Sequence, residues 1–593
     1  MSFTNIELRN MMQRPCLTTL ALALSMLAWT SASAQALPSA GSVLRQQDSV
    51  LPPKQQQLPA AVSKEVVRVA TPEVIGNVRI VLKSVRFSGA QGMASEAELQ
   101  ELVHDSLGKE LGSAQLQELA DRTMALLKGR GWFAARAYLP EQDLTDGKLE
   151  IAITTGRVDG GLKGIALRAP EVRLSERLIR AVIAETLPSL DTLGLNLNQL
   201  ERTLLMLNEL PGITSQASLE RGTERDSTRL TIEVKEGPLW LSSATLDNSG
   251  SRYTGTLRGT GQLRVMDPFG AGDQFNLGAV AASGVSMGSL AYGRPLTTSG
   301  LGWGANASAM NYSLGADLEN LGLSGSARTA GLSLAYPFIL QNTFHLRGTL
   351  AVDFKALVDS GNGATLRDKR LLSWSATLVG DRLDDLGGGG ASNFSLALTQ
   401  GRLDLTGSAN DLAADQTGPR ANGSFGKLTY AYARLQKLPG PFTLFASING
   451  QFASTNLDSS EKFILGGSGG VRAYPGGEGA GDSGWSGSLE LRYDVAASTR
   501  FGNLQWSAIL DTGQVTLNKK VWGPGALTNL ENVNSYALSG AGLGLSLTRA
   551  GSYTLRALWT QALGTNPGRS ANGNNSDGLS DRSRLVLISS INF

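Results

Sequence analysis

The residues best equipped for chemistry are concentrated in one glycine-rich stretch, Lys462 to Asp494, reading KFILGGSGGVRAYPGGEGAGDSGWSGSLELRYD. It sets a guanidinium (Arg472), a phenol (Tyr474) and two carboxylates (Glu478, Asp482) between the apolar run Phe463-Ile464-Leu465 and the alternating strand pattern Leu489 to Tyr493. These groups suit ion pairing and hydrogen bonding. Glycine lets the backbone take positive φ and pass close to other structure, whereas an exposed hairpin tip needs only a few turn residues. A loop this long and this polar is therefore expected to fold back onto another part of the molecule. Parts for catalysis are scarce. There are two histidines, His104 and His345, and one cysteine, Cys16, too few for a Ser-His nucleophile system or a transition-metal site. Gly259-Thr260-Gly261 sits in strand-turn context, not strand-to-helix, so dinucleotide binding is unsupported. No enzyme activity, cofactor or metal is expected.

The elements that must position this loop come from the whole chain. At 593 residues it exceeds one domain. Lys and Arg number 53 against 51 Asp and Glu, which argues against a nucleic-acid partner and its basic stripe. The 71 glycines have no period of three, so collagen is excluded. Residues 1–34 read as a signal peptide. Arg9 and Arg14 precede an apolar segment, Leu17 to Trp29, that is too short to span a bilayer comfortably, and Ala32-Ser33-Ala34 is a cleavage site. Cys16 falls inside it, so the mature chain is expected to lack thiols and disulfides. No later run of 18 apolar residues exists, so any membrane insertion must be by β-barrel.

In chain order, residues 35–76 are rich in Pro, Gln and Ala, with a short helix predicted over Ser39 to Ser49. Residues 77–157 follow a β-α-α-β-β order. The strand Val78 to Phe87 leads to a capping box at Ser95-Glu96-Ala97-Glu98. A helix with Leu116, Leu119, Thr123, Leu126 and Leu127 on one face follows, and the strands Phe133 to Leu139 and Lys148 to Thr154 complete the unit. Residues 158–237 repeat the plan. From 238 to 593 period-two segments recur between Gly, Asn, Asp and Ser clusters, and helical periodicity is essentially absent. Near-zero mean hydropathy is no objection to a barrel, whose strands alternate faces.

The segment GGSGGVRAYPGGEGAGDSGW resembles the signature loop of the two-partner secretion transporters (the TpsB family, haemolysin-activator type). The family's VRGY core stands here as Val471-Arg472-Ala473-Tyr474, with Ala in place of Gly. Further similar stretches follow in order: KGRGWFAARAYLPEQDLTDGKLEIAITTGRV resembles the first POTRA domain, and Asp247-Asn248-Ser249-Gly250 resembles the first barrel strand. Ala335-Tyr336-Pro337-Phe338 resembles the family's YPL element, and Leu510-Asp511-Thr512-Gly513 resembles its wall motif. The resemblance implies an N-terminal plug helix, two periplasmic α+β POTRA domains and an all-β membrane barrel of about sixteen antiparallel strands. It also implies an inward-folded VRAYP loop over about 466–487. In relatives the loop arginine pairs with the aspartate of the wall motif. That role carries over to Arg472 and Asp511, with Gly513 in the same motif and Val471, Ala473 and Tyr474 flanking the arginine. Both histidines read as structural, His104 on a helix surface and His345 in the lumen or at an interface. Asp381 to Gly390 lacks calcium-ligand spacing and reads as a solvated extracellular loop or turn.

The implied function is an outer-membrane translocator that takes up an unfolded TpsA-like exoprotein (a haemolysin, haemagglutinin or adhesin) through its POTRA domains and secretes it, with activation of the cargo as a further role the resemblance suggests. The implied partners also include the outer-membrane lipid bilayer and the barrel assembly machinery, through the terminal Phe593. An insertase for other barrel proteins is the alternative; the POTRA count and the VRAYP loop disfavour it.

Overall fold

The computed structural model describes residues 37–48, 79–223, 227–496, 500–523 and 525–593. The signal peptide and most of the linker expected before residue 77 lie outside the described residues. The helix predicted over Ser39 to Ser49 is present as Ala40–Asp48.

Two α+β modules follow. In the first, Ser95 caps the helix Glu96–Val103 with the predicted capping box, and the helix Ser113–Gly129 buries Leu116, Leu119, Ala120, Thr123 and Leu127. These side chains pack on a three-stranded sheet in which Lys148–Thr154 is central, parallel to Ser84–Ser88 and antiparallel to Arg136–Tyr138. The single strand expected over Val78 to Phe87 is two. Arg79–Val81 pairs with Glu110–Gly112, Leu82 turns into the core, and Ser84–Ser88 joins the other sheet. Alternation runs through both halves, so sequence pattern alone could not show that they have different partners. The predicted strand Phe133 to Leu139 shrinks to Arg136–Tyr138 because Trp132 to Ala135 form turns. The second module packs the helices Glu176–Thr186 and Leu197–Asn208 on the strand Ser227–Glu236 and its neighbours. The modules meet where Leu197 N donates to Gly131 O and Asn196 Nδ2 to Arg130 O. Gly131 sits at φ 91°, and a Cβ there would lie 2.6 Å from Asn196 Oδ1, so glycine is required at this junction.

Sixteen antiparallel strands then close into a barrel, the first (Trp240–Asp247) pairing with the last (Ser583–Asn592). Outward positions carry exposed Leu, Val, Phe and Trp, as on a lipid-facing wall. The second module docks on one mouth: Ser175 N donates to Gly270 O, Asn342 N donates to Glu201, Arg347 pairs with Glu209, and Leu340 joins the module's core. The wall is uneven. The sixth to ninth strands, Leu323–Gln341, Phe344–Gly361, Ala364–Asp384 and Gly390–Asp404, run 15 to 21 residues, while the first three have 8 or 9. Two expectations need correction here. A helix, Ala409–Thr417, does form within the barrel region, capped by Ser408 on a loop at the far mouth; its nine residues are too few to register as a periodic pattern. Asp381 to Gly390 is not an extracellular loop: Asp381 to Asp384 complete the eighth strand, and the turn after it lies at the mouth that faces the modules.

Candidate functional site: a loop anchored in the lumen

The glycine-rich loop leaves the eleventh strand (Phe442–Ala453) and returns as the twelfth (Ser483–Asp494). It thus begins earlier and ends sooner than the 466–487 span expected. Phe463–Ile464 pairs with Ala480–Gly481 to make a small hairpin base, and Gly466 bridges Val471. Asp482, fully buried, locks the base by accepting from Lys462 Nζ at 2.7 Å, Leu457 N at 3.0 Å and Lys519 N at 2.7 Å. Two more carboxylates tie the same segment to the wall. Glu461 lies 2.7 Å from both Lys355 and Lys427, and Asp458 lies 2.7 Å from Lys369. Burial alone would raise both acids, but Lys427 and Lys355 hold Glu461 down at about 2, and Lys369 does the same for Asp458.

At the tip, Val471, Ala473 and Tyr474 are buried against Phe463, Leu465, Val515, Tyr536, Leu538 and Ala562. Between them Arg472 reaches the wall. Its Nε donates to Asp511 Oδ2 at 2.9 Å and one terminal nitrogen donates to Oδ1 at 2.7 Å, a two-point fork, while its backbone N–H donates to Oδ2 at 3.1 Å. The other terminal nitrogen donates to Glu490 at 3.1 Å, and the nitrogen that reaches Asp511 Oδ1 also donates to Ser488 Oγ at 2.7 Å. Glu490 also receives Arg492 and Arg556. Asp511 and Glu490 are almost fully buried, so each needs its cations.

Sequence reasoning named Arg472 and Asp511 and missed Glu490, Ser488, Arg492 and Arg556. A signal existed: in Leu489-Glu490-Leu491-Arg492 the leucines face lipid, so the charges between them must face the lumen. Gly513 has a steric role, since a Cβ there would lie 2.4 Å from Trp485 O and 2.6 Å from Leu465 Cδ1. The alanine that replaces the family's glycine at 473 is accommodated by Gly540, where a Cβ would stand 2.6 Å from that of Ala473. His104 is exposed in a short 3₁₀ turn, and His345 Nδ1 lies 3.0 Å from Asp381 near the module-side mouth.

The other occupant of the lumen is the helix Ala40–Asp48. Its Ala40, Val43 and Leu44 pack on inward residues of the tall wall, including Leu357, Leu371 and Leu403, and on Met310 and Tyr312 of the preceding strand, Gly302–Ser313. Ala40 N donates to Asp359 Oδ1 at 2.7 Å, and Tyr312 OH donates to the same oxygen at 2.7 Å. Ser39 Oγ meets Ser459 Oγ at 2.9 Å, and Arg45 Nε donates to Lys462 O. The helix and the loop thus fill opposite sides of one lumen and meet at residues 459–462.

Comparison with known proteins fits this architecture. A family model described as haemolysin secretion/activation protein ShlB/FhaC/HecB matches residues 226–547, and a ShlB-type POTRA domain matches residues 80–156. The heme/hemopexin transporter protein HuxB of Haemophilus influenzae is 26% identical over 474 residues, covering 79% of this chain and 81% of HuxB. The outer membrane transporter CdiB of Dickeya dadantii is 23% identical over 410 residues, covering 66% and 68% of the two chains. In structure, CdiB from Escherichia coli superposes with a TM-score of 0.71 at 20% identity, covering 97% of this chain and 98% of that one. With its family model spanning more than half of the sequence, the chain belongs to the haemolysin secretion/activation family of ShlB, FhaC and HecB, the outer-membrane transporters of two-partner secretion.

Proposed function

We propose that this transporter captures an unfolded, β-rich exoprotein of its own on the periplasmic modules and threads it outward without catalysis or a cofactor. The observation that carries the reading is the arginine loop, pinned to the wall at Asp511 inside a sixteen-stranded barrel on whose mouth the second of two α+β modules is docked. In the second module, Ile213–Arg221 pairs only with Ser227–Glu236 among the described residues. Ile213 N and Ser215 N on its other edge donate to Leu210 O and Asn208 Oδ1, and the edge beyond them, from Ala217 to Arg221, is where a client segment can add as a strand. The periplasm holds no ATP, so the driving force is folding of the client at the surface. Export requires the helix Ala40–Asp48 to leave the lumen, since it occupies the path. Phe593 directly follows the last strand and its N–H donates to Ser242 O; its exposed ring is our candidate for recognition by the barrel assembly machinery.

The test is secretion of the exoprotein encoded beside this transporter, in cells carrying wild type, a deletion, Arg472→Ala or Asp511→Ala, with barrel abundance measured in parallel. Loss of export in the deletion and in both assembled variants supports the reading. Full export from the deletion strain overturns the pairing with that cargo. Full export from both point variants removes the role of the loop and leaves the transporter.

A further inference from the structure

The tall side of the barrel carries a feature that the transport path does not use. Arg328, Arg370 and Arg402 lie at outward positions on the sixth, eighth and ninth strands, and all three are exposed. Arg328 lies 13 residues before Gln341, Arg370 lies 14 before Asp384, and Arg402 lies 12 after Gly390, counting from each strand's periplasmic end. The three guanidinium groups are therefore at nearly one height. On the sixth strand, Phe338 marks the periplasmic edge, with its ring 5.5 Å from that of Tyr336. Arg328 lies ten residues further on, a rise of about 25 Å at 3.3 Å per residue and a tilt of about 40°, which is the height of a barrel's apolar band. Between these levels the wall is apolar, with exposed Leu332, Leu350, Leu372, Trp374 and Leu398. The arginines thus stand where hydrocarbon ends and the outer-leaflet headgroups begin.

The arginines of the lumen site and the plug seat end on acceptors, as Arg472 and Arg258 do. Arg328, Arg370 and Arg402 have no hydrogen-bond or ion-pair partner among the described residues. Ala356 separates Arg328 from Arg370 in the same row, and Ser424 flanks Arg402, so small residues leave open space beside each guanidinium. Two acids share the face. Asp404, opposite Arg370, already accepts from Thr406 N and Oγ1, and Asp368 is covered by Gly407. The face keeps a net positive charge. Across the barrel the outward strand tops carry Thr512, Gln514 and Gln561, all uncharged.

We propose that Arg328, Arg370 and Arg402 form a binding site for the phosphorylated glycolipid of the outer leaflet, each guanidinium taking a sugar-linked phosphate while the acyl chains lie on the leucine band below. Arginine suits this task because its planar fork bonds two phosphate oxygens at once. The site would fix the depth and tilt of the tall wall.

The test uses the full-length transporter in detergent, with bisphosphorylated lipid A and the same lipid stripped of both phosphates as probes, read by native mass spectrometry. Wild type is expected to retain the bisphosphorylated form preferentially. R328Q/R370Q/R402Q is expected to bind it on the order of a hundredfold more weakly, at about a factor of five per cation. Equal retention of both lipids by wild type would overturn the proposal, as would unchanged binding by the triple variant. So would displacement of the lipid by millimolar inorganic phosphate, which would mark a site for any phosphate. If the triple variant fails to assemble, the three single variants are measured instead, and each is expected to lose a smaller part of the preference.

Discussion

The two occupants of the lumen are held by different physics. The loop is continuous with two barrel strands and is fixed by buried ion pairs: Arg472 on Asp511 and Glu490, Glu461 on Lys355 and Lys427, and Asp458 on Lys369. Removing one member of such a group leaves its partners charged and dry, at about 3–5 kcal/mol. The plug helix instead buries little more than Ala40, Val43 and Leu44 and makes a handful of neutral or singly charged hydrogen bonds. Full burial of Val43 and Leu44 is worth about 1.5–3 kcal/mol each, and nothing in its seat is left stranded when it goes. One element is held much more strongly than the other. The seats are also coupled, because the segment 459–462 that the helix touches is the one Glu461 ties to the wall.

The strongest way to break this contrast is Arg472→Ala, which strips buried Asp511 and Glu490 of a shared cation. Export is expected to fall at least tenfold at unchanged barrel abundance, measured as exoprotein in the medium. Arg472→Lys should recover little, since one ammonium cannot reproduce the fork. R472D/D511R should also fail, because it sets a new carboxylate against Glu490; adding E490Q is expected to restore part of the export. Next in size is Gly540→Ala, whose methyl collides with Ala473. Overpacking of this kind costs about 1–3 kcal/mol, and A473G in the same chain should reverse it. A rescue is what the contact predicts, and failure of the rescue would refute it. Both effects would be read from thermal unfolding of the purified barrel and from export.

On the plug side, Asp359→Ala removes the acceptor at the helix N-terminus, a loss of about 1 kcal/mol. The pore is then expected to open about fivefold more often in planar bilayers, with the loop undisturbed. Equal loss of loop order in that variant would erase the distinction drawn above. The smallest effect at working pH comes from Asp458 and Glu461. Both are held at about 2 in the folded barrel, below the ordinary carboxylate range. Their stabilisation is therefore full at neutral pH, begins to fade as pH drops through about 4, and is gone near 2. The unfolding midpoint should be flat from pH 8 to 5 and decline below, and K355M/K427M should blunt the part of that decline due to Glu461.

Much of this was legible in the residues. Period-two alternation marked an all-β region that could enter a membrane only as a barrel, the capping box at Ser95 and the helical face of Leu116 to Leu127 marked the first module, and the long, polar run of glycines around Arg472 was expected to fold back onto other structure. These are local facts: each depends on neighbours within a few residues, which sequence spacing records. What only the tertiary structure decided is who meets whom. Arg472 finds Asp511 39 positions away and Arg556 reaches Glu490 across 66, while Ala40 is capped by Asp359 across 319. Those distances are set by strand register and by closure of the wall. A shift of one residue turns every inward charge toward lipid, so the partners exist only once the barrel has closed.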